Sequence, residues 1–226
     1  MITQERIGAY IDSLSCSNTP FLNRLESEAL ENGIPVIKRP TQSLIRLLLG
    51  ISAPETILEV GTAVGFSAIL MATYAPKNCR ITTIEKYEKR IPAAKENFER
   101  SGFADRITLL EGDAAQILEE LSKDHTYDMI FMDAAKGQYM GFYPYVKAMM
   151  RDGSILVSDN VLQDGDIAES RFAVTRRNRT IHSRMREYLF TLTHEADLTT
   201  DILPVGDGVA VSVLRTNAHP GETGGM

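Results

Sequence analysis

Acidic side chains follow four successive apolar runs of this chain, each at the point where a strand would end. They are Glu85, Asp113, Asp133 and Asp159, and Asn160 follows the last of them directly. A single acidic strand end is more often a helix cap or part of a solvated loop. Because the carboxyl ends of parallel strands meet at one edge of a sheet, four in succession indicate a binding site at that edge.

Asp133, Asp159 and Asn160 have the side-chain types that hard cations prefer. Oxygen ligands from two neighbouring strand ends, with room for water and substrate oxygens, suit Mg²⁺ or a similar divalent cation. Lys136 lies three residues after Asp133, and its amine is a candidate base for a hydroxyl proton or a stabiliser of an oxyanion. The structural alternative is a turn at Asp159-Asn160 with a solvated Lys136.

The residues from Thr56 to Ser67 are typical of a buried strand, a glycine loop and the start of a helix. Gly61 and Gly65 lie in the loop, where the lack of a Cβ lets the backbone approach a ligand. This order opens a nucleotide-binding α/β fold, in which Glu85 would accept hydrogen bonds from ribose hydroxyls. The loop lacks the full G-x-G-x-x-G pattern, so the motif alone is weak.

Strand and helix patterns alternate after residue 50 and predict one α/β domain with helices on both faces of a sheet. Seven strands are expected, five parallel and the last two, Leu198–Leu203 and Val209–Leu214, an antiparallel pair. Residues 1–50 are predicted to be helical, with Gly50 ending the third helix, and to form a cap on the core or a lid or dimer surface. The Gly-rich tail, 217–226, is expected to be disordered.

Composition and charge exclude several classes of protein. The 226 residues are 43% hydrophobic and carry a net charge of −6, which favours one sizeable core over disorder or general polyanion binding. Cys16 and Cys79 lack metal-site spacing, so they indicate a reducing compartment. Without an 18-residue apolar run or a signal-peptide pattern, the chain is predicted to be soluble and cytoplasmic, with no membrane association.

The combination of Glu59-Val-Gly61, Asp133-x-x-Lys136 and Asp159-Asn160 resembles the cation-dependent class I O-methyltransferases, the family of catechol and caffeoyl-CoA methyltransferases. The resemblance implies a Rossmann-like fold, with residues 51–216 as the methyltransferase domain, and S-adenosyl-L-methionine as cofactor. An acidic pocket suits its sulfonium charge better than it suits NAD. The resemblance also implies a homodimer, a metal site of Asp133, Asp159 and Asn160, and catalytic roles for Lys136 and Asp133. The implied cofactor-binding residues are Ile37, Glu59, Gly61, Ser67, Glu85, Asp113, Ala114 and Asp133.

Residues 171–186 contain six arginines and no acidic residue, and the pattern predicts a mostly helical segment. A solvated helix face, a patch that contacts RNA phosphates and a site for an anionic small substrate such as a CoA thioester all remain open. Tyr139, Phe142 and Tyr143 either stack on a flipped base or pack in the core, and His182 is expected at the surface. The RNA interpretation assigns phosphate contacts to Arg171, Arg176, Arg177, Arg179 and Arg184.

Residues 133–139, 158–162 and 204–208, together with the arginine segment, resemble the bacterial tRNA 5-hydroxyuridine methyltransferases. This resemblance implies that the acceptor is 5-hydroxyuridine at the wobble position of tRNA and the product 5-methoxyuridine. The C5 hydroxyl and the C4 carbonyl offer two adjacent oxygens, as a catechol does. A small catechol or caffeoyl-CoA-type acceptor is the alternative, although a chain with no tryptophan and 7% aromatic residues gives little sign of a broad aromatic pocket. An RNA-binding scaffold is the non-enzyme alternative.

Overall fold

Seven strands form one sheet in the computed structural model of the protein, which describes residues 5–14, 16–170, 172 and 174–216. The strands are β1 (Thr56–Val60), β2 (Arg80–Glu85), β3 (Ile107–Glu111), β4 (Tyr127–Met132), β5 (Met150–Ser158), β6 (Leu198–Leu203) and β7 (Val209–Leu214). The helices are α1 (Glu5–Leu14), α2 (Pro20–Glu31), α3 (Arg39–Ser52), α4 (Phe66–Tyr74), α5 (Ile91–Ser101), α6 (Ala114–Leu121), α7 (Tyr139–Ala148) and α8 (Arg179–His194).

The strand order is β3-β2-β1-β4-β5-β7-β6, which confirms the predicted Rossmann-like α/β sheet. The first five strands pair in parallel, and β6 and β7 pair with each other antiparallel, as predicted. Since β7 is also antiparallel to β5, β7 alone runs against the rest of the sheet. The chain direction across the sheet reverses between β1 and β4, and such a switch point is where open α/β sheets bind ligands.

Alternating side chains of the strands supply two cores, one on each face of the sheet. Ile57 packs with α2, α3, α4 and α5, whereas Leu58 packs with α6, α7 and α8. Every residue of α4 from Phe66 to Ala72 is buried, because this helix lies between the sheet and the N-terminal helices. The apolar surface removed from water on both faces holds the strand ends in fixed relative positions.

The N-terminal helices differ in their relation to the core. Leu22, Leu25, Ile45 and Leu49 of α2 and α3 are buried in the same cluster as α4, so these two helices cap one face of the sheet. In contrast, the apolar side chains of α1 are exposed, Tyr10 and Leu14 by 66% each. The division of the chain at residue 50 stays a prediction.

One predicted helix boundary is wrong. The third helix does not end at Gly50 but continues to Ser52, and the left-handed residue after it is Ala53, with φ 43°. Burial of Ile45 and Leu49 outweighs the roughly 1 kcal/mol that an internal glycine costs a helix. Residues 171–193 were predicted to be mostly helical, and most of them are, since α8 begins at Arg179 after a 3₁₀ turn at Arg176–Asn178.

Some sequence expectations fall outside the described residues. Arg171 and the tail 217–226 are among them. None of the helices in the described part of the chain has the length and apolar character that crossing a membrane requires.

Candidate active site

A cleft of about 360 Å³ opens at the carboxyl ends of β1, β2 and β4 and at the loop after β3. This is the edge of the sheet at which the acidic residues were predicted to lie. The segment before α3 closes one side of the cleft through Pro35, Val36 and Ile37. Most of the predicted cofactor residues line it, namely Ile37, Gly61, Ser67, Glu85, Asp113, Ala114 and Asp133.

Gly61 lets two strand ends meet beneath this cleft. Its φ is +107°, and a Cβ at this position would lie 2.2 Å from the carbonyl oxygen of Asp133. Gly65, with φ +84°, is the residue before α4, and a Cβ there would lie 2.5 Å from the ring of Phe98. Glycine is therefore required at both positions, because a Cβ would collide with a neighbouring residue and because other residues rarely adopt this backbone conformation.

Glu59 lies in β1 and is fully buried, and it is not among the described residues that line the cleft. Its Oε2 accepts a hydrogen bond from Thr83 on the neighbouring strand, whereas its Oε1 has no hydrogen-bond partner among the described residues. Burial raises the pKa of Glu59 to about 8, against the opposing effect of the Ser67 and Thr83 hydroxyls. A carboxyl oxygen without a hydrogen-bond partner beneath the cleft suits a cofactor that brings a hydrogen-bond donor.

Glu85 and Asp113 are held by backbone groups at the rim of the cleft. The Glu85 carboxylate accepts from three backbone N–H groups, those of Ala63, Lys86 and Tyr87, over 2.7–3.0 Å. Asp113 is the N-cap of α6, where it accepts from Ala115, and it also pairs with Lys86. Cap and ligand roles are compatible, because each carboxylate oxygen can accept a further hydrogen bond.

Asp133, Asp159 and Asn160 come together at the ends of β4 and β5, as the sequence predicted for a metal site. Asn160 Nδ2 donates to Oδ1 of Asp133 over 3.0 Å, and the backbone N–H of Asn160 donates to Asp159 over 2.8 Å. Asn160 has φ +61°, a strained conformation that is typical of functional sites. Among the described residues, no cluster of three or more His, Cys, Asp or Glu side chains is arranged for a metal, so the candidate centre depends on two carboxylates and an amide.

The two carboxylates carry negative charge that the protein does not fully compensate. Burial, and then the charge of Asp133, raises the pKa of Asp159 to about 7. Burial also raises the pKa of Asp133, against a hydrogen bond from Asn160 and the charge of Lys136. The buried Asp159 and the half-buried Asp133, whose charge disfavours ionisation of Asp159, lie beside an amide oxygen and fit a hard divalent cation.

Lys136 lies in a 3₁₀ turn, Lys136–Gln138, directly after the loop that leaves β4. Its positive charge partly offsets the rise in the pKa of Asp133 and of Asp159. The ammonium group therefore interacts electrostatically with the candidate metal centre. Lys136 is half-buried, so its side chain remains accessible to a substrate.

The arginine segment does not present all of its arginines in the same way. Arg176 is exposed, and the guanidinium of Arg179 lies 5.9 Å from the ring centre of Phe172, which is 83% exposed. Arg184, predicted as an RNA contact, donates from Nη1 to the carbonyl oxygen of Gly137 over 3.0 Å. Arg177 lies in the 3₁₀ turn at Arg176–Asn178.

The predicted aromatic stacking residues are in the core. Tyr139, Phe142 and Tyr143 are at most 4% exposed, and the rings of Tyr139 and Tyr143 pack edge-on against Tyr188. Only Phe142 also borders the cleft among these three. The expectation of a surface position for His182 is wrong, because the residue is 3% exposed on the inner side of α8.

Comparison with known proteins identifies the family. The O-methyltransferase family matches residues 12–215. The chain belongs to this family. A catechol O-methyltransferase from Niastella koreensis is 32% identical over 169 residues, 73% of this chain and 76% of that protein. Another from Mycobacterium tuberculosis is 30% identical over 216 residues, 92% of this chain and 95% of that protein.

The fold agrees with this membership. The O-methyltransferase from Bacillus cereus, solved in complex with SAH, superposes with a TM-score of 0.82 at 23% identity and covers 95% of this chain and 100% of that one. The protein is an S-adenosylmethionine-dependent O-methyltransferase, and the non-enzyme alternative is set aside.

Several residues of this methyltransferase site were missed in the sequence. Thr83 is a buried residue of β2, and only the pairing of Glu59 with Thr83 across the strands reveals its contact. Lys38 forms an ion pair with Asp207, whose charge raises the pKa of Asp133 and Asp159. No local pattern joins residues so far apart in the chain. Tyr87 and Arg90 also line the cleft, and their position just after Glu85 was the available signal.

Proposed function

We propose that this O-methyltransferase methylates a hydroxyl group whose neighbouring carbon carries a second oxygen, with a divalent cation such as Mg²⁺ held by Asp133, Asp159 and Asn160. The observation that carries the proposal is the pairing of the buried Asp159 with the half-buried Asp133, both with raised pKa values, where Asp133 borders the cofactor cleft. When bound, the cation supplies Lewis acidity that lowers the pKa of a hydroxyl and favours acceptors with two adjacent oxygens.

Other residues of the chain bind the cofactor, position the acceptor and act on its proton. The cleft holds S-adenosylmethionine, with Glu85 and Asp113 at its polar rim and Ile37 and Phe142 as apolar walls. Asp133 borders the cleft and contacts Asn160, so the methyl donor and the acceptor are brought together at this residue. Lys136 takes the acceptor proton or stabilises the oxyanion. Catalysis is then mainly positioning and charge placement.

A small catechol-type molecule is the first candidate acceptor. Both relatives described above are catechol O-methyltransferases, and one of them matches 92% of this chain. A divalent cation held by Asp133, Asp159 and Asn160 would favour an acceptor with two adjacent oxygens, such as a catechol. The low aromatic content of the chain is a weak counter-argument, because Phe142 does supply an apolar wall to the cleft.

5-Hydroxyuridine in tRNA is the second candidate acceptor, and the arginine segment favours it. Arg176 is exposed and Arg179 is half-buried near the N-terminal end of α8, with the exposed ring of Phe172 beside Arg179. Helix N-termini and arginines both favour phosphate groups, and exposed aromatic rings stack on bases. The helix contacts the turn that carries Lys136 through Arg184, so a phosphate backbone on this surface lies near the active site.

Methyl transfer with competing acceptors separates the two candidates. The assay contains S-adenosylmethionine, Mg²⁺ and either catechol, tRNA with 5-hydroxyuridine or unmodified tRNA. Efficient methylation of catechol without methylation of tRNA assigns the small acceptor, and the reverse assigns tRNA. Transfer to neither acceptor under conditions that load the cofactor contradicts the proposed acceptor chemistry.

A pair of variants tests the arginine surface itself. If tRNA is the substrate, replacement of Arg176 and Arg179 by Ala lowers tRNA affinity and reduces the dependence of binding on salt concentration by about one to two released ions. Arg24→Ala is the matched control, since Arg24 is an exposed helical arginine on α2. Equal affinities in both variants would show that the segment does not contact RNA.

A further inference from the structure

Arg184 contacts the turn that carries the candidate catalytic lysine. Its Nη1 atom donates to the carbonyl oxygen of Gly137, the residue after Lys136, over 3.0 Å. The turn is only three residues long and has no side-chain cap at its start. Ile181, one helical turn before Arg184, lies close to Gly137 as well, since a Cβ on this glycine would be 3.9 Å from Ile181 Cγ1. Helix α8 therefore supplies both a polar and an apolar contact to a turn that has few contacts of its own.

The same helix also holds the loop that follows the other candidate metal ligands. Arg186 Nη1 donates to the carbonyl oxygen of Ile167 over 3.2 Å. The Nε2–H group of the buried His182 donates a hydrogen bond to the carbonyl oxygen of Glu169 over 3.0 Å. These contacts are made to backbone carbonyls, which are present whatever side chain occupies the position. The first half of α8 is thus a structural support for the loops after β4 and β5, in addition to any role of its exposed arginines.

We propose that Arg184 is a positioning residue for Lys136 and that its contribution to this enzyme is exerted through that lysine rather than through RNA phosphates. A charged donor forms a stronger hydrogen bond to a carbonyl than a neutral one does. Without it, the turn gains conformational freedom, and the Lys136 side chain that it carries is less well positioned for the acceptor hydroxyl. The proposal rests on the proposed function, in which Lys136 acts on the acceptor hydroxyl.

Steady-state kinetics of Arg184→Ala test this assignment with the acceptor that the competition assay identifies. We expect kcat to fall about tenfold or more, because displacement of a catalytic group by about 1 Å costs up to about 100-fold. The KM for S-adenosylmethionine should stay within about twofold, since Arg184 is not among the described residues that line the cleft. Arg184→Lys keeps a charged donor and should restore part of the loss, whereas the control Arg24→Ala should match the parent protein. An Arg184→Ala enzyme with the parent's kcat would overturn the proposal.

A double-mutant cycle separates action through Lys136 from a general structural effect. In a Lys136→Ala background, Arg184→Ala should change the residual kcat by less than about twofold, because the group that it positions is gone. The same fold-loss in both backgrounds would mean that Arg184 acts independently of Lys136 and would overturn the assignment.

Amide hydrogen exchange provides a readout that needs no acceptor. In Arg184→Ala, the amides of residues 134–140 should exchange faster, while those of β1 and α4 keep the parent's rates. If neither candidate acceptor is methylated, the proposed acceptor chemistry fails but this measurement still decides the positioning role. Unchanged exchange in residues 134–140 would contradict it.

Discussion

The buried carboxylates are the residues on which this active site most depends, and Glu59 is the one whose contribution is easiest to isolate. Its pKa, raised to about 8 by burial, lies above the ordinary value of 4.5. The folded state therefore keeps a proton that the unfolded chain releases. The stability that this proton provides is fully present below about pH 4.5 and is lost as the pH rises through about 8.

Glu59→Gln should remove this pH dependence. Between pH 5 and pH 8, the free energy of unfolding of the parent protein should fall relative to that of the variant, by at most about 1.4 kcal/mol per pH unit. Urea unfolding of both proteins at each pH measures the difference, in which the other ionisable groups largely cancel. Parallel pH profiles of the two proteins would show that Glu59 does not retain the proton.

Gly61→Ala tests the close approach between the ends of β1 and β4. The added Cβ would meet the carbonyl oxygen of Asp133 at 2.2 Å, so the strand end must move and we expect a loss of about 1–3 kcal/mol in stability. Calorimetric titration should also show weakened S-adenosylmethionine binding. Gly141→Ala is the control, since a Cβ there has no atom within 4 Å among the described residues. Equal cofactor affinity in both variants would contradict this role of Gly61.

At the scale of elements, two glycines near helix ends have different roles. Gly102 has φ +75° and follows the last residue of α5, whereas Gly50, predicted to end α3, lies inside it. Gly50→Ala should therefore raise the free energy of unfolding by about 0.5–1 kcal/mol, whereas Gly102→Ala should lower it because alanine is strained at positive φ. Chemical denaturation of the two variants checks both signs, and a destabilised Gly50→Ala protein would show that the helix does not continue through this residue.

The elements that the sequence predicted correctly are those with local signals. Thr19 caps α2 through the N–H of Leu22, and Pro20 is at the first helical position, which is the local pattern expected where a helix begins. Each acidic strand end was also placed correctly, because an apolar run followed by a carboxylate is a local pattern. In contrast, the ion pair between Lys38 and Asp207 and the contact between Arg184 and Gly137 depend on how distant segments pack, which spacing along the chain does not encode.

The contacts of the arginine segment also could not be predicted from the sequence. The six arginines of residues 171–186 left three interpretations open: a solvated helix face, a patch that contacts RNA and a site for an anionic small substrate. The structure divides the arginines, since the helix begins at Arg179 and both Arg184 and Arg186 donate to backbone carbonyls of loops. Composition alone does not distinguish an arginine that supports a loop from one that is available to a phosphate.

At the scale of the whole molecule, the homodimer implied by the family resemblance stays a proposal, and α1 is its candidate interface. The side chains of Tyr10 and Leu14 are each 66% exposed, and burying apolar surface of this kind stabilises association. We expect sedimentation velocity to show a dimer that Tyr10→Glu with Leu14→Glu converts to a monomer. Phe190→Glu is the control, since Phe190 is an exposed aromatic residue of α8 rather than of α1. A monomeric parent protein at micromolar concentration would contradict the proposal.

The reaction proposed for the molecule depends on the cation that Asp133, Asp159 and Asn160 are expected to hold. The most direct test is methyl transfer from S-adenosylmethionine to whichever of the two acceptors the protein uses, measured first with EDTA and then after excess Mg²⁺ is restored. We expect transfer to fall to background with EDTA and to recover with Mg²⁺ in the parent protein, but not in Asp133→Ala. Full turnover in the presence of EDTA would contradict a metal-assisted reaction at this site.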